Sequence, residues 1–269
     1  MLNKDNIEII YPRIMVFRKG ISNPEKIVEQ LSQYKDWEKW YDIGEQILFN
    51  PTISHRYNNF PTIEEWRKTE KEREEQIGPE DLKNLIQIFE DTFFESTQHY
   101  IEHYHCEKPN WLHMGSNILR YEGRPPKENE VTGENRAKNT NKSFDDTTQG
   151  EAGGTKEMTL PFHTDFYQPD EFEPGLKAEY TVTMYLNEDY EGGEIDFRIF
   201  NGRQDDSRVI DGDLVPVDPN YGEIPSVVYR PQAGDVIIFP SRVPYYHGVR
   251  RVSSGTKYFV RMFWMSELQ

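Results

Sequence analysis

The chain has 269 residues, with 47 acidic against 31 basic side chains and a formal net charge of −16, which argues against tight binding to nucleic-acid phosphates. Hydrophobic residues make up 35% and aromatics 13%, enough to bury a real core, so global disorder is excluded. The one cysteine, Cys106, rules out an intramolecular disulfide, and no stretch has the character of a signal peptide or a membrane span, so the expectation is a cytoplasmic protein with no membrane partner.

Asn6–Phe17 is rich in β-branched and aromatic residues and is interrupted by Pro12, which predicts an edge strand or a pair of short strands. Ser22-Asn23-Pro24 resembles a helix start, and Ile27, Val28, Leu31 and Tyr34 follow at helical spacing, so an amphipathic helix is expected to end near Tyr34 or Lys35. Trp37–Phe60 carries aromatics without a clean period and reads as mostly loop. Thr62–Gln76 is highly charged and reads as a solvated helix or an arm. Gly78-Pro79-Glu80-Asp81 opens a more convincing helix. Its apolar stripe of Leu82, Leu85, Ile86, Ile88, Phe89, Phe93, Phe94 and Tyr100 predicts packing on a sheet and an end near His103. His99, His103 and His105 are read as helix-terminal histidines that suit the dipole rather than as a metal cluster. His55 and His113 lack any partner pattern.

Trp111–Tyr121 reads as a strand. Residues 122–157 are rich in Gly, Asn, Lys, Glu and Thr and hold almost no large apolar residues, so they cannot contribute a core segment. Such a segment is either a lid over substrate or a tolerated surface insertion. Beyond it, strands are expected at Ala178–Leu186, Glu194–Phe200, Ser226–Arg230, Val236–Pro240, His247–Val252 and Lys257–Trp264, with Gly and Pro turns between them and a polar loop with one short strand in Arg203–Val217. Many short strands at regular spacing indicate a sandwich or barrel. The expected organisation is a β domain over residues 105–269 with residues 1–104 packing on it as a helical layer, one structural domain overall.

Within Leu160–Asp165, His163 and Asp165 lie two residues apart, which on a strand puts both side chains on one face. A second histidine, His247, begins a strand 82 residues beyond Asp165. Two imidazoles and a carboxylate on one face of an octahedral ion leave three positions open, the pattern of non-haem Fe(II) oxygenases. Lys257 follows His247 by ten residues through a turn; on adjacent antiparallel strands both side chains would face a barrel interior. A buried cation there needs an anion, and a co-substrate carboxylate is a candidate.

From about Asn117 to Trp264 the sequence resembles the Fe(II)- and 2-oxoglutarate-dependent dioxygenases, in the prolyl 4-hydroxylase-like branch. The motifs that carry the resemblance are Leu119-Arg120-Tyr121, His163-Thr164-Asp165, Thr181–Asn187, Glu191-Gly192-Gly193-Glu194, Ala233-Gly234-Asp235 with Ile238-Phe239-Pro240, His247-Gly248-Val249 and Ser254–Tyr258. The resemblance implies a mainly β protein with α, built on a double-stranded β-helix (jelly-roll) core. It implies His163, Asp165 and His247 as metal ligands and catalytic residues, and Lys257 against the distal carboxylate of 2-oxoglutarate. Tyr121 is placed toward the co-substrate, as are Thr181 and Thr183, which share a strand face with Tyr185. Arg120 would point away from Tyr121. The implied cofactors are Fe(II), 2-oxoglutarate and O₂, with ascorbate as an accessory reductant.

The implied reaction is hydroxylation of an unactivated C–H bond, in a prolyl or other amino-acid side chain of a peptide or protein. Alternatives are a hydroxylase of a free amino acid or other small metabolite, a halogenase, which the carboxylate Asp165 disfavours, a nucleic-acid demethylase, which the charge disfavours, and a non-catalytic jelly-roll binding module.

Overall fold

The computed structural model describes residues 2–35, 37–40, 45–49, 55–57, 82–106, 111–123, 158–163, 165, 176–199, 207–210, 213–216, 226–241 and 245–267. Period-two alternation organises them. In the last strand, β17 (Thr256–Glu267), Tyr258, Val260, Met262 and Trp264 join one buried apolar cluster. Its neighbour Phe259 joins a second cluster on the opposite face. One sheet therefore separates two cores.

The first half supplies β1 (Ile7–Tyr11), β2 (Ile14–Phe17), α1 (Pro24–Gln33), β3 (Glu38–Trp40), β4 (Glu45–Phe49), β5 (His55–Tyr57), α2 (Lys83–Tyr104) and β6 (Trp111–Glu122). The second supplies β7 (Met158–His163), β8 (Leu176–Tyr185), β9 (Glu191–Gly192), β10 (Ile195–Ile199), β11 (Ser207–Ile210), β12 (Asp213–Pro216), β13 (Ser226–Tyr229), β14 (Val236–Pro240), β15 (Tyr245–Arg250), β16 (Val252–Ser254) and β17. Among the described residues the major sheet runs β1-β2-β14-β8-β17-β6-β4-β3, with β5 also on β6, and the minor sheet runs β13-β10-β15-β7. All pairings are antiparallel. The protein is mainly β, a double-stranded β-helix with a helical layer on the outer face of its major sheet.

The N-terminal apolar run is a hairpin that turns at Pro12-Arg13, where Arg13 takes φ 66°. Only β1 is an edge; β2 is fully buried against β14. The helix after Asn23 forms with Pro24 in its first turn, and Tyr34 caps its end. Trp37–Phe60, read as mostly loop, instead contributes β3, β4 and β5. Glu45–Phe49 lies opposite Asn117–Tyr121, and His55–Tyr57 opposite Trp111–His113. Backbone pairing of β4 and β5 to the edge of β6, and of β3 to β4, makes these segments strands, so no side-chain period announces them. Residues 203–217 likewise hold a two-strand hairpin, β11-β12, where one short strand was expected. The charged segment 62–76, the expected helix opening at Gly78–Asp81 and residues 124–157 of the polar segment lie outside the described residues.

α2 packs across β8, β14 and β6. Phe89, Phe93 and Phe94 enter the outer core, where the Phe93 ring stacks on Trp264 at 5.0 Å between centroids, whereas Ile88, expected in the same stripe, turns to the exposed side of the helix. Trp264 Nε1 donates to Thr97 Oγ1 at 2.9 Å, which satisfies the one polar atom of that side chain. No helix among the described residues is long and apolar enough to cross a membrane.

The motif Ala233-Gly234-Asp235 is structural. Gly234 takes φ +87° and comes so close to the Ile21 carbonyl that a Cβ would sit 2.8 Å from it. The fully buried Asp235 accepts from Tyr229 Oη at 2.6 Å, from the Gln232 N–H at 2.9 Å and from Arg18 at 3.1 Å. These bonds tie the start of β14 to the end of β2.

Phe93→Ala removes the ring stacked on Trp264 without touching the inner face. It should cost about 3–5 kcal/mol of unfolding free energy in a denaturant titration.

Candidate active site

β7 ends at His163, and Asp165 lies past the strand end in a bend, so the two are not successive residues of one strand face as their spacing suggested. His163 is instead the direct backbone partner of His247 across β7 and β15. Of His163 only the backbone is described. Asp165 is completely buried. Thr181 Oγ1 donates to its Oδ2 at 2.8 Å, and Ser241 Oγ lies 2.8 Å from Thr181 Oγ1. The Thr181 hydroxyl has a single proton, so Ser241 donates to Thr181 and Thr181 to Asp165. His247 Nε2 stands 3.2 Å from the same Oδ2. The imidazole is fixed edge-on to Phe239 at 4.8 Å, with Phe197 at 6.0 Å.

Lys257 is fully buried on the inner face of β17, directly opposite Tyr121 of β6. The expected adjacency of its strand to that of His247 does not hold. β15 belongs to the minor sheet and β17 to the major one, with β16 between them in the chain, so the two side chains reach the interior from opposing walls. Nζ donates to the Gly193 carbonyl at 2.6 Å and lies over the rings of Tyr185 at 5.0 Å, Phe259 at 5.3 Å and Tyr190 at 5.7 Å. Burial is the main cause that lowers the ammonium pKa to about 7; the nearby Arg230 guanidinium adds to it and Glu194 opposes it. Arg230 in turn donates to the carbonyls of Gly192 and Tyr190. Gly193 takes φ +71°, and a Cβ there would press on Tyr190 at 2.9 Å and on Lys257 Cδ at 3.3 Å. The Glu191-Gly192-Gly193-Glu194 turn is thereby shaped to bring a carbonyl to the lysine.

Tyr121 is buried edge-on to Phe259 at 4.8 Å. Thr183 is buried on the strand that also carries Thr181, two residues away and on the same face. Arg120 points to the other face, over Trp37 at 4.9 Å and against Glu122 at 2.6 Å.

Spacing arguments missed Arg261. It is buried on the inner face of β17, with Nη1 3.8 Å from Asp165 Oδ1. The signal was present: counting by twos from Lys257 along the strand reaches Phe259, Arg261 and Phe263.

Among the described side chains no set of three metal-binding groups converges, because His163 contributes backbone alone. The two donors that are described fit a metal. Two cis ligands bonded at about 2.1 Å to one octahedral ion lie about 3 Å apart. His247 Nε2 and Asp165 Oδ2 meet that separation at 3.2 Å, and the strand register brings His163 alongside. At the helix end, His99 and His103 stack on each other at 6.4 Å, and His99 stands edge-on to Phe17. His105 is the left-handed cap of α2.

The antiparallel double-stranded β-helix thus brings a carboxylate and an imidazole together between its two walls. The sequence model of the 2OG-Fe(II) oxygenase superfamily matches residues 152–266 of the chain, the segment that carries Asp165, His247, Lys257 and Arg261. No curated protein matches the chain. Among solved structures, the non-haem α-ketoglutarate-dependent carbocyclase SnoK from nogalamycin biosynthesis is similar in fold, with TM-score 0.50, 15% identity, and 94% of this chain and 79% of that one covered. A Trichoplax adhaerens prolyl hydroxylase in complex with a hypoxia inducible factor peptide fragment aligns with TM-score 0.48 and 13% identity over 94% of this chain and 83% of that one. A Pseudomonas putida prolyl-4-hydroxylase gives 0.43 and 9%, with 96% and 93% covered.

Thr181→Val keeps the shape but removes the donor to Asp165. Mn(II) affinity, measured by titration calorimetry, should fall about tenfold, in line with other outer-shell ligand supports; an unchanged affinity would rule out this role for Thr181.

Proposed function

We propose that this chain hydroxylates an unactivated C–H bond, in a prolyl or other amino-acid side chain of a peptide or protein. The observation that carries the reading is the convergence of Asp165 Oδ2 and His247 Nε2 at 3.2 Å inside the barrel, with the buried Lys257 facing the same interior from the other wall.

His163, Asp165 and His247 are the proposed holders of Fe(II). When bound, the iron with 2-oxoglutarate and O₂ supplies the oxidising power for attack on a C–H bond. The chain's own residues do the rest. Thr181 and Ser241 hold the Asp165 carboxylate in place, and Phe239 and Phe197 fix the imidazole plane of His247. Lys257 takes the distal carboxylate of the co-substrate, with Tyr121 opposite it on β6 as a hydroxyl donor. The aromatic side chains around Nζ exclude water from that end and strengthen the ion pair.

The reading is tested by anaerobic addition of Fe(II) and then 2-oxoglutarate, followed by visible absorption. A charge-transfer band that disappears in Asp165→Ala is expected. Succinate release with proline-containing peptides, compared with free amino acids, then separates peptide hydroxylation from the small-metabolite alternative. Metal binding without any band points to a non-catalytic binding module.

Lys257 links affinity to pH. The free site holds a lysine with its pKa lowered to about 7, whereas a dicarboxylate binds the protonated form. The dissociation constant for 2-oxoglutarate should therefore rise above pH 7, by up to about tenfold per pH unit. In the ligand-free protein the sign is opposite. Between pH 7 and 10.5 the unfolded lysine holds its proton while the folded one has lost it, so this group's contribution to stability grows as pH rises through that window. Lys257→Ala should weaken 2-oxoglutarate at least about tenfold and flatten its pH dependence; unchanged affinity would remove Lys257 from the role.

A further inference from the structure

We infer that Arg261 is a positioning residue that keeps Asp165 a one-oxygen ligand and shifts the centre's preference from the metal ion toward the anionic co-substrate. This rests on the function proposed above.

The two oxygens of Asp165 have different surroundings. Oδ2 faces His247 Nε2 at 3.2 Å and receives the Thr181 hydroxyl at 2.8 Å. Oδ1 faces the Arg261 guanidinium, with Nη1 at 3.8 Å. The guanidinium is itself confined. It lies over the Phe263 ring at 4.9 Å, its backbone is paired with Thr183 on one side and Asn117 on the other, and the residue is 8% exposed. A cation on Oδ1 holds that oxygen away from the metal side and leaves Oδ2 as the donor. A carboxylate that turned to offer both oxygens would fill one of the positions that a chelating oxo-acid and O₂ require.

Charge gives the second consequence. A guanidinium stays protonated at every working pH and stands beside the ligand carboxylate in a buried site. It repels a divalent cation and attracts a dianion, so it costs metal affinity and adds co-substrate affinity. The geometry suits a dicarboxylate. Lys257 and Arg261 lie on one face of β17, four residues and about 13 Å apart along the strand, one at the distal end of the interior and one at the metal end.

The test uses the full-length protein with Arg261→Gln and Arg261→Lys. Mn(II) is titrated alone, and 2-oxoglutarate is titrated into the anaerobic Fe(II) form by its visible band. For Arg261→Gln, Mn(II) affinity should tighten while 2-oxoglutarate weakens at least about tenfold; Arg261→Lys should recover the latter to within about threefold. These opposed movements are something a merely structural residue would not produce. A 2-oxoglutarate affinity within about twofold of the parent for Arg261→Gln overturns the inference. So does parallel loss of both ligands that Arg261→Lys fails to restore. A parent protein that binds Mn(II) but forms no band with Fe(II) and 2-oxoglutarate sinks the proposed function, and the role of Arg261 falls with it; a parent band that persists unaltered in Arg261→Gln sinks the Arg261 inference alone.

Discussion

A carboxylate with no solvent exposure has to be compensated by the protein around it, and the interior of this barrel is built to do so for Asp165. A hydroxyl and an imidazole meet one oxygen, and a guanidinium stands off the other. Each comes from a different strand: Thr181 from β8, His247 from β15 and Arg261 from β17. The carboxylate is thus held only when the two sheets are stacked and in register. A slip of one residue in β17 would turn Lys257 and Arg261 outward and drive Tyr258 and Met262 into the site.

The division of labour between the faces of the major sheet follows from the same constraint. The outer face is apolar and is covered by α1 and α2, where burial supplies stability without demanding polar partners. The inner face mixes aromatics with a small number of charged and hydroxyl side chains. There the aromatics surround polar groups that meet across the interior, as Thr181 and Ser241 do at Asp165. Lys257 shows the tension in that arrangement. Its ammonium finds one carbonyl and several ring faces, and burial still brings its pKa down to about 7.

Local pattern made much of this legible. The 3.6-residue stripe marks α2, and the period-two runs mark β8, β14 and β17 and assign their faces. The His163-x-Asp165, His247 and Lys257 spacings single out the candidate site residues, and the motif order led to the superfamily that residues 152–266 match. Three things escaped. β3, β4 and β5 carry no period of their own and are strands because β6 offers an edge to β4 and β5, and β4 in turn offers one to β3. Asp165 sits beyond the end of β7, where Thr181 holds it, a position that strand alternation does not describe. Arg261 looked like one more charged residue until Asp165 was placed beside it.

The sequence by itself determined which residues alternate, which lie on helical stripes and which side chains have the chemistry to bind a metal and an anion, because propensity, periodicity and donor type are local properties of the chain. The tertiary structure alone decided which strands are neighbours, that His247 and Lys257 stand on opposing walls rather than adjacent strands, and that Arg261 meets Asp165. Those outcomes depend on pairing and stacking between segments far apart in sequence, whose free energy comes from backbone hydrogen bonds and shared burial that no single segment contains.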